Sequence, residues 1–331
     1  MRLFAAHPAF SHKVVHLSLR IVFLGTGKLA LPVFAALCDS PHDVVGLVTQ
    51  PDRTGPGHHR HRNPLKELAA ERHIPVLQPV RIKTPEAVAE LRALNADLFV
   101  VAAYGQILSR EILEMPRLGT INVHASLLPR HRGATPIHAA ILHGDAETGI
   151  TIIRLVPELD AGPMLATVRT PIGPDETTGA LEERLAALAP AITLEAIARL
   201  EAGTIREVEQ DHAQATHVGK LDKPAGRIPW TQPAVEVERH LRGMQPWPGP
   251  FTQLHQPDKP PLRLQILRGE PVACDDPAAP GTIIAVDPTQ FTVRCGDGAL
   301  RVTQVHPDGK RPMPAADFLR GRVVHVGDKC E

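Results

Sequence analysis

The chain has 331 residues, more than one typical domain needs, and hydrophobic residues make up 43% of it, which excludes a disordered protein. Its 36 basic and 36 acidic side chains cancel, so any nucleic-acid binding must come from a local basic patch. The four cysteines show no metal-ligand spacing, and we therefore expect free thiols and no metal. No apolar run approaches the ~18 residues that a membrane span requires, so we expect no membrane partner. Together these features predict a cytoplasmic protein.

Residues 1–19 are predicted to be an N-terminal extension, because charges and histidines interrupt the apolar stretch that a signal peptide requires. From residue 20 to 204, short apolar runs alternate with helical patterns. Predicted strands cover residues 21–24, 44–48, 75–77, 98–101, 120–123 and 150–155, and predicted helices cover 28–37, 63–72, 84–94, 134–142 and 178–200. This alternation is typical of an α/β domain with a Rossmann-like, mainly parallel sheet, which binds ligands beyond the carboxyl ends of its strands.

The turn after the first predicted strand, Gly25-Thr26-Gly27-Lys28-Leu29-Ala30, fits a loose G-x-G-x-x-A pattern. That pattern occurs in nicotinamide dehydrogenases, but the acidic residue expected after the second strand is absent. A tight strand-to-helix turn is the better interpretation.

The segment after the second predicted strand, residues 51–66, is longer than the usual ~2–6 residues and is rich in glycine and proline. It carries the basic residues Arg53, Arg60, Arg62 and Lys66 together with three histidines. Basic loops are usually only solvated, but one beside the ligand edge of a sheet would also suit phosphate contacts. The residues by themselves leave both interpretations open.

Three polar residues follow apolar runs of the first domain: Asn122, His124 and Asp160. Each has an ordinary structural explanation, since buried histidines are often just hydrogen-bonded and Asp often sits in turns. Burying three such groups at one sheet edge is costly, however, which favours a function. We expect Asn122 and a protonated His124 to stabilise the oxyanion of an acyl transfer to an amine, and Asp160 to orient the imidazole.

From residue 205 the pattern changes. Residues 205–224 are polar without clear periodicity and are predicted to be a linker. One helical pattern follows over 234–244, and short β-type runs separated by Gly and Pro occupy 262–266, 281–286, 291–294 and 300–305. These predict a small OB-like β-barrel domain over 225–331, after a catalytic domain over 20–204.

Several of these motifs together carry a resemblance to a known family. They are the Asn122-Val123-His124 run, the Ser126-Leu127-Leu128-Pro129-Arg130 run, Arg132-Gly133, Glu147 to Thr151, and Leu159-Asp160-Ala161-Gly162. This set resembles the signature of the 10-formyltetrahydrofolate-dependent formyltransferases. Within that family, the long basic loop and the barrel resemble the branch that acts on the α-amino group of methionyl initiator tRNA.

The resemblance implies a formyltransferase fold, 10-formyltetrahydrofolate as formyl donor, no metal, and a monomeric enzyme of translation initiation. It implies catalytic roles for Asn122, His124 and Asp160. It places folate contacts at Ser126, Leu127, Leu128, Pro129, Tyr104 and Gly105, and tRNA contacts at Arg53, Arg60, Arg62 and Lys66. Two positions depart from the family pattern: His131 stands where Trp is usual, and Pro229 stands where an acidic residue is usual.

Particular sequence features distinguish four alternative functions from this one. A sugar-nucleotide N-formyltransferase would use the same donor and trio but carries a shorter, less basic loop. A glycinamide-ribonucleotide formyltransferase lacks the C-terminal barrel. The weak glycine pattern argues against a nicotinamide dehydrogenase, and the intact trio argues against a catalytically inactive tRNA-binding protein.

Overall fold

A computed structural model describes residues 18–52, 63–257 and 259–331. The predicted extension, apart from Ser18 and Leu19, and the loop segment 53–62 lie outside these residues. Leu19 is buried in the first core.

In the described residues, the N-terminal part contains one large sheet and six helices. The strands are β1 Arg20–Gly25, β2 Asp43–Val48, β3 Val76–Leu77, β4 Leu98–Ala102, β5 Thr120–His124, β6 Arg132–Gly133, β7 Glu147–Arg154 and β8 Met164–Pro171. The helices are α1 Gly27–Cys38, α2 Pro64–Glu71, α3 Pro85–Ala93, α4 Arg110–Leu113, α5 Pro136–Leu142 and α6 Thr178–Glu201. The sheet order is β3-β2-β1-β4-β5-β7-β8.

The first five strands of this order are parallel, as the sequence predicts, and β7 and β8 are antiparallel additions at one edge. Alternate residues of β1 pack into two cores on opposite faces of the sheet: Ile21 and Phe23 pack with α1 and α6, whereas Val22 and Leu24 pack with α3 and α4. Burial of both faces explains why the strand is a continuous apolar run.

The glycine pattern after β1 has a packing explanation. A Cβ atom on Gly25 would lie 2.6 Å from the Phe23 ring and 2.9 Å from both the carbonyl oxygen of Ala102 and the Cβ of Ala30. Gly27 begins α1 with a φ of +76°. These features require glycine at the turn irrespective of any ligand.

The C-terminal part is an antiparallel sheet that nearly closes into a barrel. Its strands, after β9 His217–Val218, are β10 Phe251–Gln256, β11 Lys259–Val272, β12 Ile283–Val286, β13 Phe291–Arg294, β14 Ala299–Pro307, β15 Met313–Pro314 and β16 Lys329–Cys330. Its helices are α7 Ala234–Gly243 and α8 Ala315–Gly321. The order is β12-β13-β14-β11-β10-β16, and a bridge between Thr282 and Lys329 brings the two ends together.

The segment predicted as a linker is attached to the first domain. Strand β9 pairs in parallel with β6, and Met164 forms a bridge with Val208. The polar composition of residues 205–224 therefore reflects an exposed strap along the first domain, next to the predicted functional residues. Across the described residues, no helix is long and apolar enough to cross a membrane.

Candidate active site

Strand β5 supplies Asn122 and His124. Residues two apart on a strand point to the same face, so the amide and the imidazole lie side by side. Asn122 is half-buried, whereas only 5% of His124 is exposed. His124 ends β5, at the carboxyl edge of the parallel strands where the sequence places a ligand site.

Asp160 joins them by a different route from the one the sequence suggests. The sequence places Asp160 beyond the carboxyl end of a parallel strand, but β7 is antiparallel to β5, so Arg154 at the end of β7 lies opposite Ile121. The loop between β7 and β8 returns to bring Asp160 to the site. There the Asn122 Nδ2 donates to Asp160 Oδ1 over 3.4 Å, and the backbone N–H of Gly133 donates to Asp160 Oδ2 over 2.8 Å.

The His124 ring lies between two acceptors. Its Nε2 is 3.0 Å from the carbonyl oxygen of His131, and its Nδ1 is 3.6 Å from Asp160 Oδ2. The Nε2 contact is within hydrogen-bond distance, whereas the Nδ1 contact is within ion-pair distance only. The ring therefore lies beside a carboxylate that is itself only 7% exposed.

His131, one of the two departures from the family pattern, supplies the backbone carbonyl that the His124 ring contacts. Its Nε2 is 2.7 Å from Asp145 Oδ2, its backbone N–H donates to Thr216 Oγ1 over 2.8 Å, and its ring stacks on His143 with a centroid distance of 5.3 Å. Burial lowers the pKa of His131, although Asp145 favours the charged form. A polar network thus fixes the carbonyl that His124 contacts.

The predicted folate-contact residues lie at the ends of β4 and β5, which are adjacent parallel strands. Gly105 is exposed, with a φ of +85°. Tyr104 is 2% exposed, and its hydroxyl has no hydrogen-bond partner among the described residues; burial raises its pKa to about 12.

The Ser126–Pro129 run forms a tight turn. The Ser126 hydroxyl donates to the carbonyl of Arg130, and its own carbonyl accepts from Thr151 Oγ1, both over 2.7 Å. Ser126 and Leu128 are buried, whereas Leu127 and Pro129 are partly exposed. The serine side chain is thus engaged in shaping the turn, and the partly exposed surface of the turn is apolar.

Of the four predicted tRNA contacts, Arg53, Arg60 and Arg62 lie outside the described residues. Lys66 lies at the start of α2, and its ammonium group is 2.6 Å from Asp52 Oδ2 and 2.8 Å from Gln78 Oε1. Lys66 thus joins the two ends of the basic loop.

Sequence reasoning missed residues that hold the trio in place. Gly133 has a φ of +113°, and a Cβ there would lie 2.2 Å from the Val218 carbonyl oxygen; the Arg132-Gly133 pair in the motif was the available signal. Gln210 lies in the supposed linker, and nothing in the sequence indicates its role. The described residues contain no group of three or more His, Cys, Asp or Glu side chains placed to hold a metal ion.

Comparison with known proteins identifies the protein family to which the chain belongs. Residues 19–197 match the family model described as formyl transferase, and residues 220–323 match that of the formyl transferase C-terminal domain. An N-formyltransferase from Helicobacter canadensis, solved with folinic acid and dTDP-3-aminofucose, superposes with a TM-score of 0.62 at 16% identity, covering 86% of this chain and 98% of that one. At that identity the likeness shows the fold.

Relatives with higher sequence identity show which branch of this family the chain belongs to. The methionyl-tRNA formyltransferase of Pseudomonas syringae pv. tomato is 45% identical over 305 residues, which cover 92% of this chain and 95% of the relative. That of Symbiobacterium thermophilum is 44% identical over 314 residues, covering 94% and 95%. The chain therefore belongs to the formyl transferase family, within its methionyl-tRNA formyltransferase branch.

Proposed function

We propose that this protein transfers the formyl group of 10-formyltetrahydrofolate to the α-amino group of methionine esterified to initiator tRNA. The observation that carries the chemistry is the convergence of Asn122, His124 and Asp160 from two separate parts of the chain onto one edge of the sheet. The choice of acceptor is supported by the two full-length relatives at 44–45% identity.

In the proposed reaction the neutral amine attacks the formyl carbon, whose C=O electrons move onto oxygen. The Asn122 amide and the His124 imidazolium are the N–H donors for that oxyanion. Asn122 is well suited to this, because its 3.4 Å hydrogen bond to Asp160 is long and easily exchanged for one to substrate. His124 would have to turn from the His131 carbonyl to donate from Nε2.

Collapse of the tetrahedral intermediate breaks the bond between the formyl carbon and the folate nitrogen. The amine loses a proton and the folate nitrogen gains one. Asp160 compensates the imidazolium charge throughout and, as the carboxylate of the trio, is the group that accepts the amine proton, through water. Holding both reactants at one sheet edge supplies the entropic advantage of proximity.

The donor site is proposed to lie between the carboxyl ends of β4 and β5. Tyr104 packs in a hydrophobic core of the domain, and the exposed Gly105 follows it after the end of β4. The partly exposed side chains of Leu127 and Pro129 offer an apolar surface beside His124. An apolar cleft with a few fixed polar groups is the usual character of a site for such a ligand.

The tRNA is proposed to contact the basic loop through Arg53, Arg60 and Arg62, and also a groove between the strap and the barrel. This groove, of about 590 Å³, is lined by Lys223, Arg227 and Arg263 with Trp247 and Phe251 among its apolar residues.

The groove keeps its positive charge. Within the described residues, no carboxylate forms an ion pair with Lys223, Arg227 or Arg263. The Arg263 guanidinium lies 3.6 Å from the centroid of the Phe251 ring, which orients it without neutralising it. Cations on an aromatic surface fit the phosphates of a nucleic-acid backbone. The chain's zero net charge makes such a local patch the required source of affinity.

The function is tested by a formyl-transfer assay that offers 10-formyltetrahydrofolate with either methionyl initiator tRNA or an amino-sugar nucleotide. We expect formylmethionine on the tRNA and no formylated sugar. Transfer to the sugar alone would refute the choice of acceptor, whereas no transfer to either would refute the reaction.

The groove is tested by the Arg227→Ala/Arg263→Ala double variant. Its tRNA affinity should fall, and the slope of log affinity against log salt should decrease by about 1 for each phosphate that the variant no longer neutralises. Arg199→Ala is the matched control, because Arg199 is exposed on α6 and paired with Glu195. An unchanged salt slope in the double variant would contradict the assignment.

A further inference from the structure

The proposed site depends on a backbone conformation that needs support. Asp160 has a φ of +48°, in the left-handed region that non-glycine residues rarely adopt. Its carboxylate must nevertheless reach Asn122, His124 and the Gly133 N–H together. Such a strained conformation persists only where surrounding contacts impose it.

Gln210, from the strap over residues 205–224, makes those contacts. It is 4% exposed, and its Nε2 donates to the backbone carbonyl of Asp160 over 2.8 Å and to that of Gly162 over 2.7 Å. One amide group thereby clamps the chain on both sides of Ala161. Both hydrogen bonds are to backbone, so they act on the position of the Asp160 main chain.

The other end of the Gln210 amide is also fixed. Its Oε1 accepts from Arg132 Nε over 3.1 Å and from Arg132 Nη2 over 2.7 Å. Arg132 is 5% exposed, and no carboxylate in the described part of the chain pairs with it. The residue after Arg132 is Gly133, whose N–H holds the Asp160 carboxylate. Gln210 thus links the segment that carries Asp160 to the segment that orients it.

We propose that Gln210 is a positioning residue for the reaction, which sets the Asp160 carboxylate against His124 by clamping the Asp160–Gly162 backbone. The hydrogen bonds of the Gln210 side chain go to Arg132 and to the backbone carbonyls of Asp160 and Gly162, so it acts through the Asp160 backbone. Use of turnover as a readout rests on the proposed function.

Two substitutions separate this role from a merely structural one. Gln210→Ala removes all four hydrogen bonds of the side chain. Gln210→Glu keeps an acceptor for Arg132 but replaces the donating amide with an oxygen that faces two carbonyl oxygens. If Gln210 serves only to satisfy Arg132, Gln210→Glu should behave as the unsubstituted protein. If it positions Asp160, Gln210→Glu should be nearly as impaired as Gln210→Ala.

We expect kcat to fall on the order of 10- to 100-fold in both variants, with KM for tRNA and for folate within about twofold. The control is Gln214→Glu, which makes the same charge change at an exposed position of the same strap. A Gln210→Glu variant with unchanged kcat overturns the proposal.

A crystal structure of Gln210→Glu gives a readout independent of activity. The proposal predicts that Asp160 leaves the left-handed region or that the 2.8 Å distance between its Oδ2 and the Gly133 nitrogen lengthens. An unchanged Asp160 overturns it, even if the acceptor of the reaction proves to be different. Inactivity of the unsubstituted protein with methionyl-tRNA would count against the proposed function alone.

Discussion

Replacing Asp160 by asparagine removes one negative charge from the proposed site and keeps the size of the side chain. Asparagine tolerates the left-handed backbone at this position, so the loop between β7 and β8 should keep its course. The amide oxygen can still accept from the Gly133 N–H. Its NH₂ group then faces the Asn122 amide, which must turn its oxygen inward and withdraw the donor proposed for the oxyanion.

The expected magnitude follows from what is removed. The His124 ring loses the only carboxylate found within ion-pair distance among the described residues, at 3.6 Å, so its charged form is no longer compensated. Removal of the carboxylate that orients a catalytic histidine lowers turnover by about 10³- to 10⁴-fold, equivalent to about 4 to 5.5 kcal/mol of transition-state stabilisation. The loss in folding free energy is expected to be smaller, about 1 to 2 kcal/mol, from weakening one charge-assisted hydrogen bond.

The assay is single-turnover formyl transfer with both substrates saturating, accompanied by urea unfolding. The control is Asp97→Asn, because Asp97 directly precedes β4 and so lies at the amino ends of the parallel strands. Its carboxylate accepts from the Arg20 backbone N–H over 2.9 Å and from Arg117 Nε over 2.6 Å. The Asp97→Asn substitution should therefore lower stability without affecting turnover. A rate for Asp160→Asn within tenfold of the unsubstituted protein would refute the role of the carboxylate. If Asp160→Asn loses turnover because it is globally unfolded, the expectation that turnover falls far more than stability is refuted.

Three further predictions concern stability. Gly133→Ala should lower the free energy of unfolding by at least about 1 to 3 kcal/mol in urea titrations, because its Cβ would meet the Val218 carbonyl at 2.2 Å in a left-handed backbone; an unchanged midpoint would contradict this. Burial lowers the pKa of His131 below 6.5 despite Asp145, so the folded state favours the neutral ring. The resulting contribution of His131 to the free energy of unfolding is fully present above pH 6.5 and is lost as the pH falls toward the folded-state pKa. The His131→Gln variant should therefore show a smaller decline in unfolding midpoint between pH 7 and 5. Trp230→Ala should cost about 3 to 5 kcal/mol, since the indole is 5% exposed in the barrel core; a calorimetric transition with unchanged midpoint would contradict that burial.

The elements that the sequence predicts best are those with strong periodicity. The buried run of β1 and the long helix α6 lie within one or two residues of their predicted bounds. The sequence pattern does not predict strand β10, because the polar residues Thr252 and Gln256 are buried in it. Thr252 Oγ1 accepts a hydrogen bond from the Trp230 indole, and Gln256 Nε2 donates one to Asp328. Their burial is tolerated only because partners far along the chain satisfy them, and a local pattern contains no trace of those partners.

The sequence by itself determined the residue types of the proposed site and the class of the fold, because strand periodicity is local and the motif around Asn122 and His124 is contiguous. The tertiary structure decided how Asp160 reaches them. It is brought by the antiparallel strand β7 and a returning loop, and it is held by Gly133 and by Gln210, fifty residues away in the chain. Strand direction and long-range hydrogen bonds depend on which segments pair in space, and chain order alone does not specify that pairing.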